Sequence, residues 1–130
     1  DRFVFHPGYE PALAHRVMAA SDFVLVPSRR EPCGLTQFYG MRYGALPVAH
    51  AVGGLLDTVQ DAGAGDGSTG TGILFREPTP AALLDAVDRA LALGDRTEAY
   101  TQVQRRAMSM DFSWTKPARQ YADLYASLRT

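Results

Sequence analysis

Three short apolar runs, Phe23-Val24-Leu25-Val26, Leu46 to Ala49 and Ile73-Leu74-Phe75, alternate along the chain with stretches of helical periodicity. Phe23 to Val26 is apolar on both faces, as a strand covered on two sides of a parallel sheet should be. Parallel strands cannot be joined by a tight turn and need a crossover, usually a helix. The alternation therefore predicts an α/β layered domain with a mainly parallel sheet and flanking helices. Phe3-Val4-Phe5 reads as a further strand, ended by the turn residues His6-Pro7-Gly8.

The helices are read from spacing and from their ends. Leu13, Val17 and Met18 recur at helical intervals between Glu10 and Ala20, and Leu35, Phe38, Tyr39 and Arg42-Tyr43 do so before Gly44. Pro47 must stand near the start of its strand or at a sheet edge. Leu55 to Val59 is a brief helix. Thr79 is placed to cap a helix whose first position is Pro80, with Leu83, Leu84, Val87 and Leu91 as its buried stripe and Gly94 as its stop. Another helix spans about 97–108. A last one, about 113–128, places Tyr121, Leu124, Tyr125 and Leu128 on one face, an apolar stripe that favours self-association if left bare. The glycine-rich segment 61–72 is expected to be a mobile surface loop.

One hundred and thirty residues suit a single domain, 1–130, able to bury a real core. Thirteen basic against fourteen acidic side chains give no support for a nucleic-acid or anionic-membrane surface. One cysteine excludes an internal disulfide and a cysteine-based metal cage, and His6, His15 and His50 lack metal-ligand spacing. No apolar stretch is long enough to span a bilayer, and no signal-peptide pattern opens the chain, so a cytoplasmic location is expected. The abrupt start on Asp1 is what a piece of a longer protein would show.

In open α/β sheets, ligands bind beyond the carboxyl ends of the strands. Segment 28–36, within Ser-Arg-Arg-Glu-Pro-Cys-Gly-Leu-Thr, falls there, with the turns at 6–9 and 50–54. Pro32 keeps Glu31 out of helical geometry, and Gly34 lets a ligand approach the backbone. The helix beginning near Leu35 would aim free N–H groups into the same crevice. A carboxylate for sugar hydroxyls beside amides for hydroxyls or phosphate makes a coherent sugar-nucleotide site. The plainer reading is that Glu31 caps the helix start. Val52-Gly53-Gly54 allows a backbone nest for phosphate oxygens, or is simply a turn. Cys33 at a helix N-terminus is a candidate redox thiol, though a role in loop shape is preferred. His15, on a helix, reads as a packing histidine.

The run SDFVLVPSRREPCGLTQFYGMRYGALPV at 21–48, VGGLLDTV at 52–59 and MDFSWTKPARQYADLYASL at 110–128 together resemble the bacterial glycogen synthases and plant starch synthases. The resemblance runs over nearly the whole chain in consistent order. It implies part of the C-terminal domain of a GT-B transferase, a Rossmann-like parallel sheet with flanking helices. It further implies a retaining enzyme that moves glucose from ADP-glucose to the non-reducing end of an α-1,4-glucan, without a required metal ion or other cofactor. By position, Glu31 resembles the acid that holds the donor glucose. Cys33, Gly34 and Leu35 match the loop that meets the sugar, and Thr36 the residue beside the diphosphate. Tyr9 matches the aromatic that stacks on adenine, and Gly53 and Gly54 the turn near the phosphates. Tyr39 stands where many related transferases carry a second Glu, which favours this branch. Arg30, His50 and Val52 depart from the common Phe, Arg and Thr. The family's N-terminal domain, with its lysine-glycine-glycine loop, would lie before residue 1. Two other readings stay open: a transferase using a UDP-sugar, and a non-catalytic nucleotide-sugar-binding domain.

Overall fold

The computed structural model describes residues 3–63 and 69–128. Its sheet has three parallel strands in the order β1 (Phe23–Val26), β2 (Leu46–His50), β3 (Ile73–Phe75). Around them run α1 (Pro11–Ala20), α2 (Thr36–Tyr43), α3 (Gly54–Thr58), α4 (Pro80–Gly94), α5 (Thr97–Ser109) and α6 (Thr115–Ser127). The α/β alternation expected from the sequence is thus present in order.

β2 is central, and all five of its residues are buried. Leu46 and Val48 join a larger core with Met41, Ile73 and the helix residues Ala86, Ala90 and Val103. Ala49 joins a smaller core on the other face with Val26 and Leu55. Pro47 is tolerated in this central strand by its position. Leu46 donates to Asp22 O on the β1 side at 2.8 Å. The next residue's nitrogen therefore turns to the opposite side, where β3 begins only opposite Val48. Tyr100, on α5, donates to the same Asp22 carbonyl at 3.0 Å. Burial, with the nearby Asp22 charge, pushes its hydroxyl above the ordinary tyrosine range.

The ends of α4 follow the sequence reading: the Thr79 side chain accepts from the Ala82 N–H, with Pro80 in the first turn. Its buried face does not. Ala86, Ala90 and Leu93 are buried with Leu83 packed beside them, whereas Leu84 and Leu91 are exposed. Bulky leucines drew the expected stripe, but a helix lying close on a sheet selects alanines for its contact face. α2 ends at Gly44 as its spacing predicts. Gln37, Gly40 and Met41 are buried, while Leu35, Tyr39 and Tyr43 are exposed.

Two strand expectations also change. Phe3, Val4 and Phe5 are 79, 86 and 73 % exposed and pair with no strand among the described residues. A three-residue run has no strand stability without a neighbour to share its hydrogen bonds. β1 is an edge strand rather than one covered on both faces: Val24 and Val26 pack on the smaller core, but Leu25 is 53 % exposed. Of the glycine-rich segment 61–72, residues 64–68 lie outside the described residues. Its two ends are tied together, with Ala62 donating to Gly72 O at 2.7 Å and Thr71 to Gln60 O at 2.8 Å. No residue of α6 is buried, and Trp114, Tyr121, Leu124, Tyr125 and Leu128 are all exposed.

The outer edge of β3 is covered by side chains. Leu74 N–H donates to Asp61 Oδ1 at 2.9 Å, and Arg89 Nη2 donates to Leu74 O at 2.8 Å. Arg89 also pairs with Asp85 and Asp61. Covering an edge in this way removes a template for pairing with another chain. Arg89→Ala should lower stability by about 1–2 kcal/mol, the cost of leaving a partly buried carbonyl unmet. Thermal unfolding would show it as a Tm drop of roughly 4–8 °C, with new dimer in sedimentation. An unchanged Tm would mean that Leu74 O is equally well met by water.

Candidate functional site

The carboxyl ends of β1 and β2 open onto two loops that touch through their backbones. Segment 28–35 leaves β1, and Ala51-Val52-Gly53 leaves β2. Gly54 N–H donates to Glu31 O at 2.9 Å. A Cβ on Gly53 would run into Glu31 O, and one on Gly54 into Cys33 O, each well inside the 3.0 Å that real Cβ atoms respect. Gly53 also holds φ +49 with ψ −134, a region open to glycine. The paired glycines are thus required for the loop carrying Glu31 and Cys33 to lie directly on the turn.

Within that loop Glu31 is half-buried, and its Oε2 accepts from Ser28 Oγ at 3.1 Å. The contact fixes the carboxylate without consuming its other oxygen. The plainer reading of Glu31 as a helix cap is not met: the N-cap of α2 is Leu35, with no side-chain cap hydrogen bond. Cys33 is free and exposed. Gly34 takes φ +76, Leu35 is exposed, and Thr36 opens α2, so the free N–H groups of its first turn sit beside the loop. Seven of the residues expected from the sequence, Glu31, Cys33, Gly34, Leu35, Thr36, Gly53 and Gly54, are therefore brought together, with Gly54 buried beneath the loop. Tyr9 does not join them by any contact. It is 85 % exposed ahead of α1 and makes no hydrogen bond or ring contact among the described residues.

His15 packs as expected of a helix-contact histidine, edge-on to Tyr39 and Tyr43, with Nδ1 3.2 Å from the Tyr43 hydroxyl. Three further residues matter that spacing did not single out. Buried His50 lies on Phe75 and sets Nδ1 2.8 Å from Ser28 O and Nε2 3.1 Å from Arg76 O. It ties the loop after β1 to the loop after β3. Gln37 brings its amide nitrogen within 3.1 Å of Cys33 O and 3.3 Å of Gly34 O and Thr58 Oγ1. Thr58 in turn donates to Gly54 O. The available signal was the interval of four from Gly54 to Thr58, one turn apart on α3; Cys33 lies ahead of α2, so its contact with Gln37 had none. Among the described residues no group of His, Cys, Asp and Glu side chains could hold a metal ion, and no helix is long and apolar enough to cross a membrane.

Chemically, the surface offers a fixed carboxylate, backbone amides at a helix start, and a glycine turn with no side chain to obstruct a ligand. That combination accepts hydroxyl donors on one side and oxyanions on the other.

Comparison with known proteins gives a consistent result. The pattern of the family described as glycosyl transferases group 1 matches residues 1–107. A glycogen synthase of Haemophilus influenzae strain PittEE is 49 % identical over 123 residues, 93 % of this chain and 26 % of that protein. The solved catalytic domain of starch synthase IV from Arabidopsis thaliana, bound to ADP and acarbose, superposes with a TM-score of 0.80 at 38 % identity, over 92 % of this chain and 25 % of that one. A sucrose-phosphate synthase from Thermosynechococcus elongatus superposes with a TM-score of 0.61 at 31 % identity, over 86 % of this chain and 26 % of that one. The chain spans about a quarter of the length of these relatives.

Proposed function

The chain belongs to the group 1 glycosyl transferases, and from that premise we propose that it is the donor-binding part of a glycogen or starch synthase. In this reading the longer protein transfers glucose from ADP-glucose to an α-1,4-glucan end with retention, and needs no metal. Glu31 accepts from the glucose hydroxyls, the α2 amides and Thr36 lie beside the diphosphate, and Gly53-Gly54 leaves room for it. Tyr9 stacks on adenine once a nucleotide brings it against the site; an aromatic face suits a base. The bare face of α6 packs on the remainder of the longer protein, and in the isolated chain it promotes self-association.

The observation that carries this reading is the backbone seating of the Glu31–Cys33 loop on the paired glycines, with the carboxylate held by Ser28. Such a rim presents a charge and a bare backbone to one ligand, which a plain connector has no reason to do.

Calorimetric titration of this chain with ADP should give saturable heat with a Kd of about a millimolar, on the order of −4 kcal/mol. Absence of heat at millimolar ADP would overturn the donor reading. The isolated chain should transfer no glucose above a Glu31→Ala control, because neutralising a departing diphosphate is a large part of such catalysis and needs more of the protein than this quarter. In the longer protein, turnover with ADP-glucose but not UDP-glucose is expected, unchanged by a chelator.

A further inference from the structure

Gln37 is wholly buried on α2, at 0 % exposure, in a region where glutamine is ordinarily a surface residue. Its amide nitrogen has two protons and three acceptors within reach: Cys33 O, Gly34 O and Thr58 Oγ1. The Thr58 proton is committed to Gly54 O, so its oxygen faces Gln37 as an acceptor. All three neighbours therefore call for a donor, which fixes the amide's orientation; turned over, its oxygen would face two carbonyl oxygens. The other end of the amide, Oε1, is buried with no partner among the described residues. It lies beneath Gly34, where an added Cβ would stand 2.5 Å from it.

A buried, unpartnered amide oxygen costs stability, and an apolar side chain of the same shape would avoid that cost. Its position shows what the cost is exchanged for. The nitrogen end spans from the loop after β1 to α3, and Thr58 carries the connection on to the glycine turn. We propose that Gln37 and Thr58 form a hydrogen-bonded relay that sets the spacing between the Cys33–Gly34 loop and the Gly53–Gly54 turn, making Gln37 the positioning residue of the site. The relay touches no substrate. It acts through the backbone that does, so its bearing on catalysis rests on the donor-site reading above.

The test begins without ligand. In Gln37→Met and Thr58→Val, exchange of the Gly54 amide, which is held by Glu31 O, should rise about tenfold, while the β2 and β3 amides stay as protected as before. The double variant should be no worse than the stronger single one, since both cut one relay. Thr58→Ser, which keeps the hydroxyl, should restore wild-type exchange. Exchange that rises uniformly along the chain, single effects that add, or a failed serine rescue would each overturn the relay.

The second arm uses the longer protein. Gln37→Met should lower kcat about tenfold, as misplacement of a reacting group does, with the donor KM moved much less. A raised KM with intact kcat would overturn the positioning role. If wild-type protein neither binds ADP nor transfers glucose, the donor-site reading falls, while the exchange experiment still decides the relay.

Discussion

Gly54→Ala is expected to cost about 3 kcal/mol, the upper range for forcing extra volume into a packed site, and to lower Tm by roughly 10 °C in a chain of this size. The new Cβ would meet the carbonyl oxygen, carbonyl carbon and Cα of Cys33, all of them closer than 3.0 Å. These are backbone atoms, so no rotamer change relieves the overlap; the two loops must separate. Separation also breaks the bond from Gly54 N–H to Glu31 O and pulls Thr58 away from Gly54 O. ADP affinity should therefore fall with stability. Gly94→Ala is the matched control. There the Cβ would touch only the Phe23 ring at 3.5 Å, an ordinary contact, inside the last turn of α4. Helix propensity favours alanine over glycine by about 1 kcal/mol, so this variant should hold or gain stability. If Gly54→Ala melts with wild type, the loop does not rest on the turn as described.

What the sequence disclosed and what it withheld divide along one physical line. β1, β2, β3 and the start of α4 were legible because their determinants are local: apolar runs between turn residues, and a threonine followed by proline. The bends at Gly34 and at Gly53-Gly54 were legible as turn chemistry, but that the paired glycines receive the backbone of Glu31 and Cys33 was not, because that contact joins segments about twenty residues apart. Phe3-Val4-Phe5 has strand composition too, but a strand is completed by a partner that composition cannot name. The face of α4 was misjudged because burial there depends on how closely the helix approaches the sheet, and Ala86 and Ala90 fit that approach where leucine would not. Gln37 and His50 were hidden more thoroughly. Both are polar and buried, and what makes burial tolerable is a set of carbonyls from other segments: Ser28 and Arg76 for His50, and the Cys33–Gly34 bend for Gln37. Tyr9 shows the converse limit. Its proposed role follows from resemblance alone, and no packing contact of the described residues adds to it.

In the longer protein, Glu31→Ala should reduce glucosyl transfer by about 10²–10³-fold, the loss of roughly two hydrogen bonds between a carboxylate and sugar hydroxyls. Stability should change little. The side chain is only half-buried, and its hydrogen bond among the described residues is to the Ser28 hydroxyl at 3.1 Å, worth on the order of 1 kcal/mol. Glu31→Gln separates charge from shape. The amide oxygen can still accept from Ser28 and from one sugar hydroxyl, but the negative charge is gone and a second hydroxyl meets an N–H. An intermediate loss, about tenfold less severe than alanine, is expected if neutral hydrogen bonds provide part of the grip. ADP affinity should remain near wild type in both variants, because ADP carries no glucose for Glu31 to hold. That contrast discriminates among roles for the residue. A purely structural Glu31 would lower ADP affinity and Tm together with transfer. A carboxylate that binds the sugar removes transfer alone, and transfer retained above a tenth of wild type in Glu31→Ala would exclude it from that work.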